Sequence, residues 1–208
     1  MVSPIVQDEM SSFGHVTFST DGLTQGHAVS TFSAGWQDRY FAGKFYLADP
    51  VISFGLHGAA GSRITILPEK VRKTPLYEEA RAFGAESNVA AVSHFGGSTR
   101  LFGGVNLDLD ERVLPRLLGS VQMDHRRDLA QGLQRLSDIQ IDLLDLAEEG
   151  HPEKVIAAEL GVSLSTIAQR KRAICNAMGM TVWRSVLQLY TWNKWGGLVA
   201  EARSEHGQ

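Results

Sequence analysis

Apolar positions along the chain follow two rhythms, a period of two near the amino end and a period of 3.6 further on. Residues 14–20 (GHVTFST) and 27–33 (HAVSTFS) alternate apolar and polar side chains around Asp21-Gly22, which predicts two strands with a tight turn. Residues 35–46 and 49–57 read as short helices, the second opened by Asp49 as cap and Pro50 at the first helical position. A GAAGS loop at 58–62 and Pro68 separate these from a helix near 75–84. VAAVSHF and RLFGGVNL then flank Gly96-Gly97-Ser98 as a central hairpin. Val113, Leu114, Leu117, Leu118, Val121 and Met123 predict a helix over roughly 109–131, with Pro115 either kinking its first turns or delaying its start. That stripe is broad enough to serve both a core and a partner helix.

Helical spacing governs the rest. Leu136, Leu143, Leu144 and Ala147 form one amphipathic helix, capped by Ser137 and ended by Gly150. Ile156, Ala157 and Leu160 form the next, stopped by Gly161 in a left-handed conformation that glycine adopts cheaply. Val162 plugs the turn and Ser163 caps a third helix, whose inward residues are Leu164, Ile167, Ile174 and Met178. Val182, Val186, Leu187 and Tyr190 suit a fourth. The expected fold is α+β. An α/β/α sensor-like sandwich with an antiparallel sheet occupies 1–131, and a four-helix helix-turn-helix domain occupies 132–208. Residues 131–135 are the expected linker, where Gly132 weakens helix continuity.

The outward face of the third helix carries Ser165, Thr166, Gln169, Arg170 and Arg172. In a major groove, arginine reads guanine, glutamine reads adenine, and hydroxyls or cations hold phosphate. An ordinary helical hairpin with a solvated polar face is the plain alternative. The compact order of four short helices favours binding to double-stranded DNA.

Charge sharpens this picture. The 208 residues are 43% hydrophobic, enough to bury a core in each part, and the net charge of −3 does not itself suggest nucleic acid. From His151 onward, however, seven Lys/Arg face four Asp/Glu, whereas residues 136–150 hold five acids and no base. The basic excess is local, as a DNA-facing helix requires. The single cysteine, Cys175, excludes an intramolecular disulfide and reads as a small core or boundary side chain. No apolar run approaches a membrane span and no signal sequence opens the chain, so a cytoplasmic protein is expected. Seven scattered histidines have no ligand spacing, and no catalytic or phosphate-binding constellation can be assembled. Neither an enzyme nor a metal or cofactor is expected.

With these residues in place, the chain resembles LuxR-family quorum-sensing transcription regulators, which join an autoinducer-binding domain to a LuxR-type helix-turn-helix. LSDIQIDLLDLAEEG and KVIAAELGVSLSTIAQRKRAICNAMGM keep the family's order of apolar and turn positions, up to a closing turn at Gly179. Gln140 replaces a usual acid, and Lys171 occupies a usually apolar place, either snorkelling or rotating the helix towards Leu164. GWQDRYFAGKFYLADPVI resembles the ligand-contact segment. By that resemblance, Trp36 bonds a lactone carbonyl, Asp49 accepts the ligand's amide N–H and Tyr40 packs on an acyl-homoserine lactone.

Other positions depart from the family. Phe32 stands where a tyrosine hydroxyl is common, Ile64 near a second tryptophan's place, Asn88 at a glycine, and Gly104 near a strand position that often supplies a hydroxyl. Only about a dozen residues precede the first strand, so the family's N-terminal helices are largely missing. Without the resemblance, Trp36 and Tyr40 read as core aromatics and Asp49 as a helix cap. Trp183, Trp192 and Trp195 suggest burial in a dimer or interdomain interface, with core packing as the alternative. The resemblance implies a homodimeric regulator gated by a small-molecule autoinducer. The alternatives are a ligand-independent regulator, or an antiactivator acting through heterodimerisation.

Overall fold

The computed structural model describes residues 2–19, 22–57 and 61–205. Asp21 of the expected turn, residues 58–60 of the expected loop and His206 lie outside the described residues. Two compact units are present, one of Met1–His94 with Thr99–His125, the other of Phe95–Ser98 with Arg126–Gln208.

The first unit is built on a five-stranded sheet. Strands β1 (Ser12–Ser19) and β2 (Gly22–Ser30) pair antiparallel, with Gly14 opposite Ser30 and Val16 opposite Ala28. Strand β3 (Arg63–Ile66) pairs antiparallel with β4 (Val89–Phe95), and β5 (Ser98–Val105) completes the order β2-β1-β5-β4-β3. Side-chain alternation separates two faces. Phe13, Val89, Ala91 and Phe102 pack under α1 (Pro4–Glu9) and α5 (Leu114–Ala130), through Val6, Leu117 and Val121. On the other face, Phe18, Val92 and Leu101 meet Ile52 and Phe54 of α3 (Pro50–Leu56), while α2 (Ala34–Ala42) and α4 (Pro75–Arg81) share a cluster around Trp36 and Tyr77.

Several boundaries differ from the sequence expectation for local reasons. Strand β2 stops at Ser30 rather than 33, because Ser33 accepts the Trp36 N–H and starts α2. Helix α2 ends at Ala42, since Lys44 adopts a left-handed φ of 53° before a single 3-10 turn at Phe45–Leu47. Pro115 delays α5 to Leu114 behind a 3-10 turn at Glu111–Val113. Two elements were unforeseen: the four-residue strand β3 and the six-residue helix α1 are too short to show a period. Helix α1 is nonetheless well seated, with Val6 and Met10 buried and the Ser3 N–H donating to Asp124 Oδ2 at 2.8 Å. Arg100, only 2% exposed, donates from Nε to Thr17 Oγ1 at 2.9 Å on the same sheet face.

In the second unit, α6 (Asp138–Glu148), α7 (Glu153–Glu159), α8 (Leu164–Ala177) and α9 (Trp183–Glu205) surround Leu143, Leu144, Ile156, Ile167, Ile174 and Val186. Gln140 accepts the Ser137 N–H at 3.0 Å, closing a capping box that an amide completes as well as an acid. Gly150, Gly161 and Gly179 all have positive φ, ending three helices where the turn demands it. The 131–135 stretch is a 3-10 turn with Gly132 and Leu133 buried. A Cβ at Gly132 would lie 3.0 Å from Met178 Cα, so close approach explains this glycine.

Leu164 is corrected from inward to outward. It is 45% exposed at the first turn of α8, and Ile167, Ile174, Cys175 and Met178 fill the core instead. Lys171 does not rotate the helix. Its ammonium lies 2.6 Å from Glu153 and 4.8 Å from the Trp183 ring centroid, a snorkelled arrangement. Val182 is likewise exposed, because it precedes α9 and offers its carbonyl to the Ser185 and Val186 N–H groups.

Helix α3 fits under the sheet only because Gly55 has no side chain; a Cβ there would overlap Leu101. Gly55→Ala is therefore expected to destabilise the protein by about 1–3 kcal/mol despite alanine's better helix propensity, measured by urea unfolding.

Candidate functional site

The helical face of the first unit holds a partly open cavity of about 330 Å³, near the lower end of the size range of small-molecule sites. Its floor comes from β1, β2 and β5 (Gly14, Val16, Ser30, Leu101, Gly103), and its walls come from α2, α3 and α4. Small residues at Gly14, Ala28, Ala80, Ala85 and Gly103 leave the space that larger side chains would fill.

Phe32, Trp36, Tyr40 and Asp49 all line this cavity. Trp36, buried one turn into α2, packs 5.8 Å from Tyr40, 6.0 Å from Phe45 and 5.6 Å from Phe83, measured between ring centroids. Among the described residues its indole N–H meets no hydrogen-bond acceptor, although the ring is buried. Phe32 joins the same aromatic cluster and contributes no polar atom from its side chain.

Asp49 has a double engagement. Oδ1 accepts the Val51 N–H at 2.8 Å, capping α3, and Oδ2 accepts the Tyr40 hydroxyl at 2.7 Å. Burial pushes the Asp49 pKa up, against the lowering effect of Tyr40 and of the Val51 and Ile52 backbone N–H groups. Burial also pushes the Tyr40 hydroxyl up, and the adjacent Asp49 carboxylate adds to this. Tyr77 of α4, which sequence reasoning missed, donates to the Ser87 carbonyl at 2.7 Å, and burial raises its pKa as well. Nothing in the spacing of α4 separates a cavity-lining tyrosine from a core one.

The departures noted in the sequence resolve individually. Gly104 faces Met10 on the opposite side of β5, and Gly103 is the residue that reaches the cavity. Asn88 is buried and braces Asn106, donating to its carbonyl at 2.6 Å and accepting its N–H at 2.8 Å. Ile64 packs against the cluster on the α1/α5 face of the sheet, away from the cavity. Ser30, Ser87 and Gln37 line the cavity and supply polar atoms that the sequence pattern did not single out.

In the second unit, the α8 candidates are unequally available. Ser163 Oγ accepts the Thr166 N–H at 3.2 Å and shares hydrogen bonds with Ser165 Oγ at 2.7 Å and Thr166 Oγ1 at 2.9 Å, gathering three hydroxyls at the helix start. Ser165, Gln169 and Arg172 are exposed, whereas Thr166 and Arg170 are half-buried. Trp183 is half-buried, but Trp192 and Trp195 are 44% and 45% exposed, with Trp195 donating to Glu148 at 3.0 Å. The Tyr190 hydroxyl donates to Asp145 at 2.7 Å; burial and that carboxylate push its pKa up to about 12. Among the described residues there is no cluster of metal-ligating side chains, and no helix is long and apolar enough to cross a membrane.

No curated protein sequence matches the chain. Among solved structures, a crystal structure of Escherichia coli SdiA is similar at 16% identity, covering 88% of this chain and 83% of that one, with a TM-score of 0.46. SdiA in complex with octanoyl-rac-glycerol is similar at 15% identity, with coverage of 88% and 81% and a TM-score of 0.42. The N-acylhomoserine lactone dependent LuxR family transcription factor CepR2 from Burkholderia cenocepacia is similar at 15% identity, covering 58% of this chain and 73% of its own, with a TM-score of 0.42. The autoinducer binding domain family matches residues 6–112, more than half the length, and the chain belongs to that family.

Proposed function

We propose that the protein is a homodimeric, sequence-specific DNA-binding transcription regulator of the quorum-sensing LuxR type, gated by an acyl-homoserine lactone in the cavity of the first unit. The observation that carries the ligand reading is that Trp36, whose indole N–H has no acceptor among the described residues, and Asp49 line the same apolar space of about 330 Å³. A lactone carbonyl would accept from Trp36 and the ligand's amide N–H would donate to Asp49, whose oxygens have lone pairs beyond those used by Tyr40 and Val51. No lysine or arginine lines the cavity among the described residues, which suits an uncharged head group better than a fatty-acid carboxylate.

DNA binding rests on the exposed Gln169 and Arg172 of α8 and on the hydroxyls at its N-terminus. The former are suited to base edges and the latter to phosphate. Two subunits would address a two-fold related site. A second reading, a ligand-independent regulator or a heterodimerising antiactivator, is favoured by one observation: Tyr40 and Val51 already give each Asp49 oxygen one internal partner.

Thermal unfolding against a series of acyl-homoserine lactones separates the two readings. The gated reading expects a saturable, chain-length-dependent rise, about 2.7 kcal/mol at a hundred times Kd. Asp49→Asn, which keeps an α3 cap, should abolish it. A flat response from folded protein produced without lactone would favour the second reading.

The same carboxylate sets a pH dependence. With its folded pKa raised, Asp49 contributes stability that is fully present below its unfolded value and is lost as pH rises through the folded value. The melting temperature of Asp49→Asn relative to the unsubstituted protein should therefore climb between acidic and neutral pH. A constant difference across that range would contradict the assignment.

For α8, Arg172→Ala should weaken operator binding by roughly 1–3 kcal/mol if Arg172 reads a base. Electrophoretic or anisotropy titrations that return unchanged affinity and specificity would remove it from the contact surface.

A further inference from the structure

An acyl-homoserine lactone presents two carbonyls and one amide N–H, so a site that matches it needs two donors and one acceptor. Trp36 and Asp49 supply one of each, and the acyl carbonyl is left to another group. The two tyrosine hydroxyls nearest Asp49 are engaged, Tyr40 with Asp49 at 2.7 Å and Tyr77 with the Ser87 carbonyl at 2.7 Å. Gln37 Nε2 gives one of its two hydrogens to the Phe32 carbonyl at 2.8 Å, and Tyr46, at 38% exposure, meets solvent.

Ser30 differs from all of these. It lines the cavity at the end of β2, and its Oγ accepts the Phe32 N–H at 3.2 Å. That bond fixes the oxygen in place while leaving the hydroxyl hydrogen without a protein acceptor among the described residues. A hydroxyl that already accepts is polarised as a donor. We propose that Ser30 is the second donor of the cavity, holding the acyl carbonyl of the ligand and discriminating against chains that lack it. This rests on the lactone reading of the cavity given above. Ser87, whose hydroxyl also reaches the cavity, has no such bond to orient it and serves as the comparison.

The test is calorimetric titration of the full chain with N-octanoyl-homoserine lactone and with its thioamide counterpart, whose sulfur is a poor acceptor. Ser30→Ala should lose about tenfold in affinity for the amide, the size of one net hydrogen bond, and much less for the thioamide. Ser30→Thr should restore the difference between the two ligands. Ser30→Cys, a weak donor of similar size, gives a second variant should alanine unsettle β2. An equal loss for both ligands would make Ser30 merely structural and overturn the assignment. So would an amide-specific loss in Ser87→Ala that Ser30→Ala does not show. If the unsubstituted protein binds neither lactone, the cavity reading itself fails and the Ser30 assignment falls with it.

Discussion

Asp49 holds together the part of the first unit in which everything else about the cavity is arranged. One carboxylate oxygen starts α3 by capping Val51, and the other fastens Tyr40 of α2. Two short helices, neither long enough to be stable alone, are thereby fixed at one point. That point faces the cavity, so the group that organises the wall is also its strongest acceptor. Burial works against the charge and the hydrogen bonds work for it, with burial the larger effect. The site thus contains a carboxylate whose environment would be improved by one more donor.

The sheet beneath makes this possible through parity. Along β5, Leu101 and Gly103 face the cavity while Phe102 and Gly104 face α1 and α5; along β4, Ala90 and Val92 part from Val89 and Ala91 in the same way. A one-residue slip would exchange the two faces and put Arg100 beneath the helices that line the cavity. Arg100 instead stays on the far face with Thr17, where Asp124 of α5 also receives the Ser3 N–H. The short α1 is held by that hydrogen bond together with the burial of Val6 and Met10.

Much of this was legible in the sequence where a strong local rule operated. Asp49-Pro50 announced a capped helix, the alternation around residues 14–33 announced a strand pair, and Gly150, Gly161 and Gly179 marked helix ends. The signal failed where elements were too short for a period, as in α1 and β3, and where helix starts displaced nominally inward residues, as at Leu164 and Val182. Within the cavity, Trp36, Tyr40 and Asp49 came from one contiguous segment that resembles a known pattern, and Phe32 stood just before it as a departure from that pattern. Tyr77, Ser87 and Ser30 come from α4, the loop after it and β2, and only the assembled sheet and helices bring them to one space. At Gly104 the sequence could name only a neighbourhood, because without the register adjacent glycines cannot be assigned to faces.

On the proposed reading, the cavity divides its recognition between two kinds of force with different resolving power. Each methylene that enters the apolar walls contributes about 0.8 kcal/mol, so chain length tunes affinity in steps of roughly fourfold. The polar head works more sharply, because a ligand that buries Trp36 or Asp49 without pairing them costs about 1–3 kcal/mol for each unsatisfied group. Asp49 blunts its own share of that penalty by keeping Tyr40 and Val51 as internal partners. The Trp36 N–H has no such reserve among the described residues, so it is the stricter of the two groups. Discrimination among head groups should therefore follow the presence of an acceptor for Trp36 more closely than that of a donor for Asp49.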